Sequence, residues 1–384
     1  MNNEECIVIV DDETQILKSL KREIGILDLE QTVRIETFNN TDDAIDFFEK
    51  ESNKIFLLIT DLRMPEPNMN GSELLSYIHK KYPHVILILL TAYSDISAIQ
   101  SAISSEIQAL IFKPWTTGTL EAEIKKALKF YKMRRENKEL HERLNNQLKL
   151  AGDFQLQMLG QPAAPPKGIL LDLQYTPLSD YYCGGDYYDF IKISDDDYVI
   201  LVGDVSGHGI KPALITAMLK IITTSVMTDF EEFSLTDFVG ELNCRLYDAL
   251  KFNDAIIIAF TAALIKSKDK KIEIVEAGGE AVYLLRDNEC LTLRNNNPAM
   301  GFKKCVSYTE QTFDLNSSDK LIFFTDGLIE VKDNGAIEGD TITKGLLEVE
   351  KNDVSAEKIF EHFKQIHSDD KYTDDVTIVV ASIE

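Results

Sequence analysis

Gly203-Asp204-Val205-Ser206-Gly207-His208-Gly209 directly follows Tyr198-Val199-Ile200-Leu201-Val202. The apolar run has the length and β-branching of a buried strand. Asp204 is therefore expected where that strand ends and a glycine-loosened turn begins, since glycine lets backbone and small ligands approach closely. Three further acidic groups stand at the edges of apolar runs: Gly184-Gly185-Asp186, Thr325-Asp326-Gly327 and Thr373-Asp374-Asp375. Carboxylates at several strand ends offer the oxygen ligands that Mg²⁺ and Mn²⁺ prefer. Two such ions can share a bridging water, lower its pKa and neutralise a phosphate ester. One Asp-Gly pair alone is an ordinary turn signal. The ordered set points to Asp186, Asp204, Asp326 and one of Asp374 and Asp375 meeting around metal ions. Cys183 adjoins Gly184, but no Cys-x5-Arg phosphate loop follows it, so thiol chemistry is not expected.

Around these groups the pattern is α+β. Short strands recur from residue 170 to 382, and helical periodicity appears at 212–227, 234–252, 343–349 and 356–367. A sandwich of two sheets flanked by helices would bury such strands on both faces.

The first third reads differently. Strand signals at 6–10, 32–38, 55–60, 85–90 and 107–112 alternate with helical stretches at 41–50, 72–81 and 95–104, with Thr41 as an N-cap candidate. That alternation implies a doubly wound α/β domain with a five-stranded parallel sheet, whose sites form at the carboxyl ends of its strands. Asp11, Asp12, Asp61, Thr91 and Lys113 all stand at such ends. Two carboxylates can hold Mg²⁺, a third can act as nucleophile, and a hydroxyl and an ammonium can bind phosphoryl oxygens.

These residues resemble those of response-regulator receiver domains. The resemblance implies Asp61 as phosphoacceptor, Asp11 and Asp12 as Mg²⁺ acids beside it, Thr91 and Lys113 as switch residues, and a histidine kinase as phosphodonor. Receivers usually carry an aromatic switch residue three before the lysine, where this chain has Leu110. Output is therefore expected through domain or dimer rearrangement.

Between the halves, residues 119–159 hold no proline and only Gly152, with abundant helix formers. Leu140, Leu144, Ala151, Phe154 and Met158 fit a/d spacing, with Asn137 and Gln147 in polar slots. A dimeric coiled coil and a helix packed on its own domains both satisfy this pattern, and a homodimer is the expectation. The resulting division is 1–120 receiver, 121–160 helical connector and 161–384 output domain.

The runs Gly184 through Phe190, Gly203 through Gly209, Phe324 through Glu330 and Asp374 through Thr377 resemble the metal-dependent protein phosphatases of the 2C superfamily. The nearest branch is the bacterial serine phosphatases that act on anti-sigma-factor antagonists. The likeness spans about residues 153 to 382. It implies Asp204 as bridging ligand of two Mn²⁺ or Mg²⁺ ions, with the Val205 carbonyl on one of them. It implies Asp186 at the second metal, and Asp326 with Asp374 at the first. His208 aligns with the family's loop histidine and is equally readable as a neutral loop residue or a catalytic acid. The implied substrate is a phosphoserine or phosphothreonine of an anti-sigma-factor antagonist. The rival reading is a non-catalytic adaptor that binds its partner through the same fold, and loss of any of the four acids would favour it.

Composition sets the outer bounds. The 384 residues are 44% hydrophobic, enough for packed cores, and the net charge of -24 disfavours nucleic acid and anionic membranes. A transcription factor is disfavoured for the same reason and for want of a basic recognition helix. Five scattered cysteines without a CxxC indicate reduced thiols and a cytoplasmic setting. Neither a signal peptide nor a membrane span is expected.

Overall fold

The structure is a computed structural model that describes residues 5–29, 33–64, 69–92, 107–159, 165–178, 182–207, 209–250, 256–304, 306–331, 335–337, 339–350, 354–365, 372 and 374–384. The chain forms two compact units, Met1–Arg143 and Leu144–Glu384.

In the first unit, β1 (Glu5–Val10), β2 (Val33–Phe38), β3 (Ile55–Asp61), β4 (Ile86–Ala92) and β5 (Ala109–Lys113) form a sheet in the order β2-β1-β3-β4-β5. Every pairing is parallel. Residues of one strand alternate between two cores, as the period of two requires. Ile7 and Ile9 join α1 (Thr14–Gly25) on one face, while Cys6, Val8 and Val10 join α2 (Thr41–Glu51) and α3 (Gly71–Lys81) on the other. Asn40, not Thr41, caps α2. Its side chain accepts a 2.8 Å bond from the Asp43 amide, and Thr41 is already inside the first turn. The helix expected over 95–104 lies outside the described residues. The strand order reverses between β1 and β3, where a crevice opens at the carboxyl ends.

One uninterrupted helix, α4 (Thr117–Leu159), follows. Thr116 starts it by accepting the Thr119 amide through its hydroxyl. Leu140, Leu144 and Phe154 of the a/d series are exposed.

The second unit is two five-stranded sheets. The first holds β7 (Asp186–Lys192), β8 (Asp197–Val205), β9 (Ile258–Lys266), β10 (Lys271–Ala277) and β13 (Gln311–Asp314) in the order β13-β10-β9-β8-β7. The second holds β6 (Ile169–Thr176), β11 (Val282–Arg286), β12 (Glu289–Leu293), β14 (Lys320–Phe324) and β17 (Val376–Ile383) in the order β12-β11-β14-β17-β6. A two-stranded ribbon, β15 (Glu330–Val331) and β16 (Gly335–Ala336), stands apart. Val282, Leu284, Leu321 and Phe323 face the core shared with the first sheet. Tyr283, Leu285, Ile322 and Phe324 pack instead toward α7 (Gly339–Glu350) and α8 (Ala356–Lys364). Helices α5 (Ile210–Met227) and α6 (Leu235–Leu250) cover the first sheet. By length and composition α5 could cross a membrane, but here its Ile215, Leu219 and Val226 lie in the core.

One local expectation fails. Strand β8 does not stop at Val202 but runs through Asp204 to Val205, paired with β9 up to Val205 against Ile258. Gly203 continues the strand because the Phe260 ring takes the space of a side chain, 2.7 Å from where its Cβ would be. The turn begins only at Ser206.

Candidate metal centre

This extension sets Asp204 directly opposite Asp186 across the β7–β8 pair. Like charges in that register repel. Asp186 is fully buried, and its Oδ2 accepts bonds from the hydroxyls of Thr325 (2.8 Å) and Thr377 (2.6 Å). Both threonines lie in the second sheet's strand-end segments, so the centre forms where the two sheets meet. Asp326 opens a short 3₁₀ turn after β14, and Asp374 stands just before β17, the neighbour of β14.

Asp375 does a different job from Asp374. It is buried, with Oδ1 accepting the Leu178 amide and Oδ2 the Gly185 amide, each at 2.7 Å. Asp374 is partly exposed, and its Oδ1 accepts the Asp375 amide. Val205 ends β8 with its amide donated to the Gly185 carbonyl. His208 lies outside the described residues.

The electrostatics are unfavourable without a cation. Burial pushes Asp204 up to about 8, helped by Asp326, Asp374, Asp375 and Glu330. Burial likewise pushes Asp374 up to about 6, raises Asp326, with Glu330 adding to it, and holds Asp186 well above the carboxylate range. No lysine or arginine offsets these four groups among the described residues. Among the described residues, Oδ1 of Asp204 is buried without a hydrogen-bond partner. A side chain at Gly185 would come within 3.0 Å of that oxygen, so glycine keeps the space beside it open. A cavity of about 60 Å³ adjoins it, lined by Asp204, Thr261, Glu280, Thr325 and Asp326. Among the described residues no three His, Cys, Asp or Glu side chains come together as a ready-made metal cage. A buried, unpartnered carboxylate oxygen in an acidic cluster fits a divalent cation.

The first unit holds a second acidic cluster. Lys113 Nζ lies 2.7 Å from Asp11 Oδ2 and 2.6 Å from Asp61 Oδ1. Asp11 is fully buried, and that burial raises its pKa despite the lysine. Asp61 Oδ2 accepts the Arg63 amide. Asp12 stands exposed next to Asp11, and the buried Thr91 donates to the Ala92 carbonyl. Asp11, Asp61 and Lys113 are thus bonded together, while Asp12 and Thr91 hold neighbouring strand ends.

Sequence reasoning missed Thr325, Thr377, Glu280 and Glu330 as neighbours of the centre. Thr325, Thr377 and Glu330 sit inside or beside the quoted acidic runs, but only strand register reveals what they touch.

Comparison with known proteins follows the same division. Residues 7–125 match the response regulator receiver domain family, and residues 194–384 match the family described as Stage II sporulation protein E (SpoIIE). The phosphoserine phosphatase RsbP of Bacillus subtilis is 25% identical over 188 residues, covering 48% of this chain and 45% of RsbP. The phosphoserine phosphatase RsbU of the same organism is 24% identical over 209 residues, covering 53% of this chain and 60% of RsbU. The chain thus spans about half the length of these curated relatives. The SiaA-PP2C domain of Pseudomonas aeruginosa shares the fold, with a TM-score of 0.53 at 16% identity over 63% of this chain and 98% of that domain.

Proposed function

We propose that this chain, a response-regulator receiver domain joined to a SpoIIE-type phosphatase domain, is a phosphorylation-controlled protein serine/threonine phosphatase. The observation that carries the reading is the pairing of Asp186 with Asp204, where a buried carboxylate oxygen has no hydrogen-bond partner among the described residues. Asp186, Asp204, Asp326 and Asp374, with the Val205 carbonyl, would hold two Mn²⁺ or Mg²⁺ ions. When bound, these supply an acidified water and a positive field for the phosphate ester. The protein's part is to fix the acids. Thr325 and Thr377 orient Asp186, and Asp375 ties the Gly185 backbone in place. Retention of all four acids speaks against the adaptor reading.

The substrate is a phosphoserine or phosphothreonine of a protein, with an anti-sigma-factor antagonist as the favoured partner. The resemblance and the similarity to two phosphoserine phosphatases support this. In the receiver, Asp61 takes a phosphoryl group from a histidine kinase with Mg²⁺ held by Asp11 and Asp12. Lys113 and Thr91 then report the change. The exposed Leu140, Leu144 and Phe154 support a homodimer through α4, in a cytoplasmic protein that binds neither nucleic acid nor membrane.

The test is hydrolysis of a phosphoserine protein with Mn²⁺, with and without beryllofluoride, for wild type and Asp61→Asn. A beryllofluoride-dependent change in rate, confined to the wild type, is expected. An unchanged wild-type rate would remove the regulatory claim, and no hydrolysis would remove the catalytic one.

A further inference from the structure

The last turns of α4 bury one face, made of Leu148, Gly152, Gln155 and Leu159. Three of these are apolar or small, as a docking face requires. The fourth is a carboxamide, only 3% exposed. Burying it is costly unless every polar atom is paired. It is paired unusually: Gln155 Nε2 donates to the Gly184 carbonyl (2.7 Å) and to Thr216 Oγ1 (2.8 Å), while its Oε1 accepts the Gly184 amide (3.1 Å). One side chain therefore fixes both ends of one residue's backbone, two positions before Asp186.

The same strip is gripped again on each side. At Gly152 the helix lies against the Tyr182 carbonyl so closely that a Cβ would come within 2.0 Å of it. From the opposite direction Asp375 holds the Gly185 amide. The Gly184-Gly185 strip thus runs between Gln155 and Asp375 and leads straight into Asp186 at the start of β7. Thr216, the third partner, sits on α5, which begins immediately after the Gly203–Gly209 segment.

We infer that Gln155 is a positioning residue for Asp186, through which the state of the connecting helix α4 sets the metal affinity of the phosphatase centre. The inference rests on reading Asp186 and Asp204 as metal ligands. A turn or slide of α4 carries the amide with it, and Gly184 and then Asp186 must follow or lose their bonds. The bonds that satisfy the buried amide are the same ones that tie it to the Gly184 backbone.

The test is calorimetric titration of the full-length, chelated protein with Mn²⁺ alone, for wild type, Gln155→Met, Thr216→Val and Asp204→Asn. The heat lost in Asp204→Asn assigns the phosphatase centre apart from the receiver. Gln155→Met keeps the bulk and the helix but removes all three bonds. Its affinity for Mn²⁺ at that centre should fall about tenfold, the size expected when buried groups lose their partners. Thr216→Val, which removes one of the three Gln155 bonds together with the hydroxyl's own bond to the Ala213 carbonyl and leaves Gly184 held, should weaken binding about twofold. Far-UV circular dichroism checks that each variant is folded, and if Gln155→Met is not, Thr216→Val carries the decision. Wild-type affinity in the folded variants would overturn the inference. Wild-type binding by Asp204→Asn would instead overturn the metal reading beneath it.

Discussion

Both units gather aspartates at strand ends, and they relieve the repulsion in opposite ways. In the receiver, Lys113 bridges Asp11 and Asp61 and supplies a positive charge from the chain itself. In the second unit, Asp186 faces Asp204, with Asp326 and Asp374 adding to the field, and no cation of the described residues answers them. The first cluster carries its own counter-charge as folded. The second is frustrated until something positive arrives.

The largest effect that would break this contrast is on the receiver. Lys113→Met leaves the fully buried Asp11 and the nearly buried Asp61 uncompensated, and should destabilise that unit by about 3 kcal/mol. Trp115, the chain's single tryptophan, lies in that unit, so denaturation followed by its fluorescence reads the receiver alone. An unchanged midpoint would mean the lysine does not hold the cluster.

Next is pH. The four carboxylates of the second unit are all raised by folding, with Asp374 at about 6 and Asp204 at about 8. The folded chain then keeps protons that the unfolded chain releases above about pH 4. Their contribution is full below that pH and lost as pH rises through about 6 and about 8. Thermal unfolding of chelated protein should therefore show the second unit's transition falling between about pH 4 and about pH 8, the span of these titrations. Saturating Mn²⁺ should flatten the slope, because a bound cation replaces the protons. A slope that is the same with and without Mn²⁺ would contradict the assignment.

A smaller and more diagnostic effect concerns Asp204→Asn. Removing one of two facing carboxylates should stabilise the metal-free chain by about 1 kcal/mol while abolishing Mn²⁺-induced stabilisation. Destabilisation of the metal-free chain would show that Asp204 is held by something other than a missing cation. Smallest of the set is Thr377→Val, which takes one of two hydroxyl bonds from Asp186. It should weaken Mn²⁺ binding about fivefold with little change in kcat at saturating metal.

Much of this was legible in the chain. Strand and helix periodicity identified both folds, because sheets covered on both faces leave continuous apolar runs such as the Ile55-Phe56-Leu57-Leu58-Ile59 of β3. The acids were legible because each stands at the edge of such a run, Asp186 before one and Asp61 after one. What stayed hidden depends on register between distant segments. Thr325 and Thr377 reach Asp186 from 139 and 191 residues away, and no local pattern marks that. Gln155 read as one more polar residue of a long helix. Gly203 read as the start of a turn, since the Phe260 ring that explains it belongs to another strand.

The most direct test of the whole account is the rate of phosphoserine hydrolysis by Asp204→Asn beside the wild type at saturating Mn²⁺. The account predicts a loss of about a thousandfold, the several kcal/mol that a metal-activated water contributes. Equal rates would contradict it.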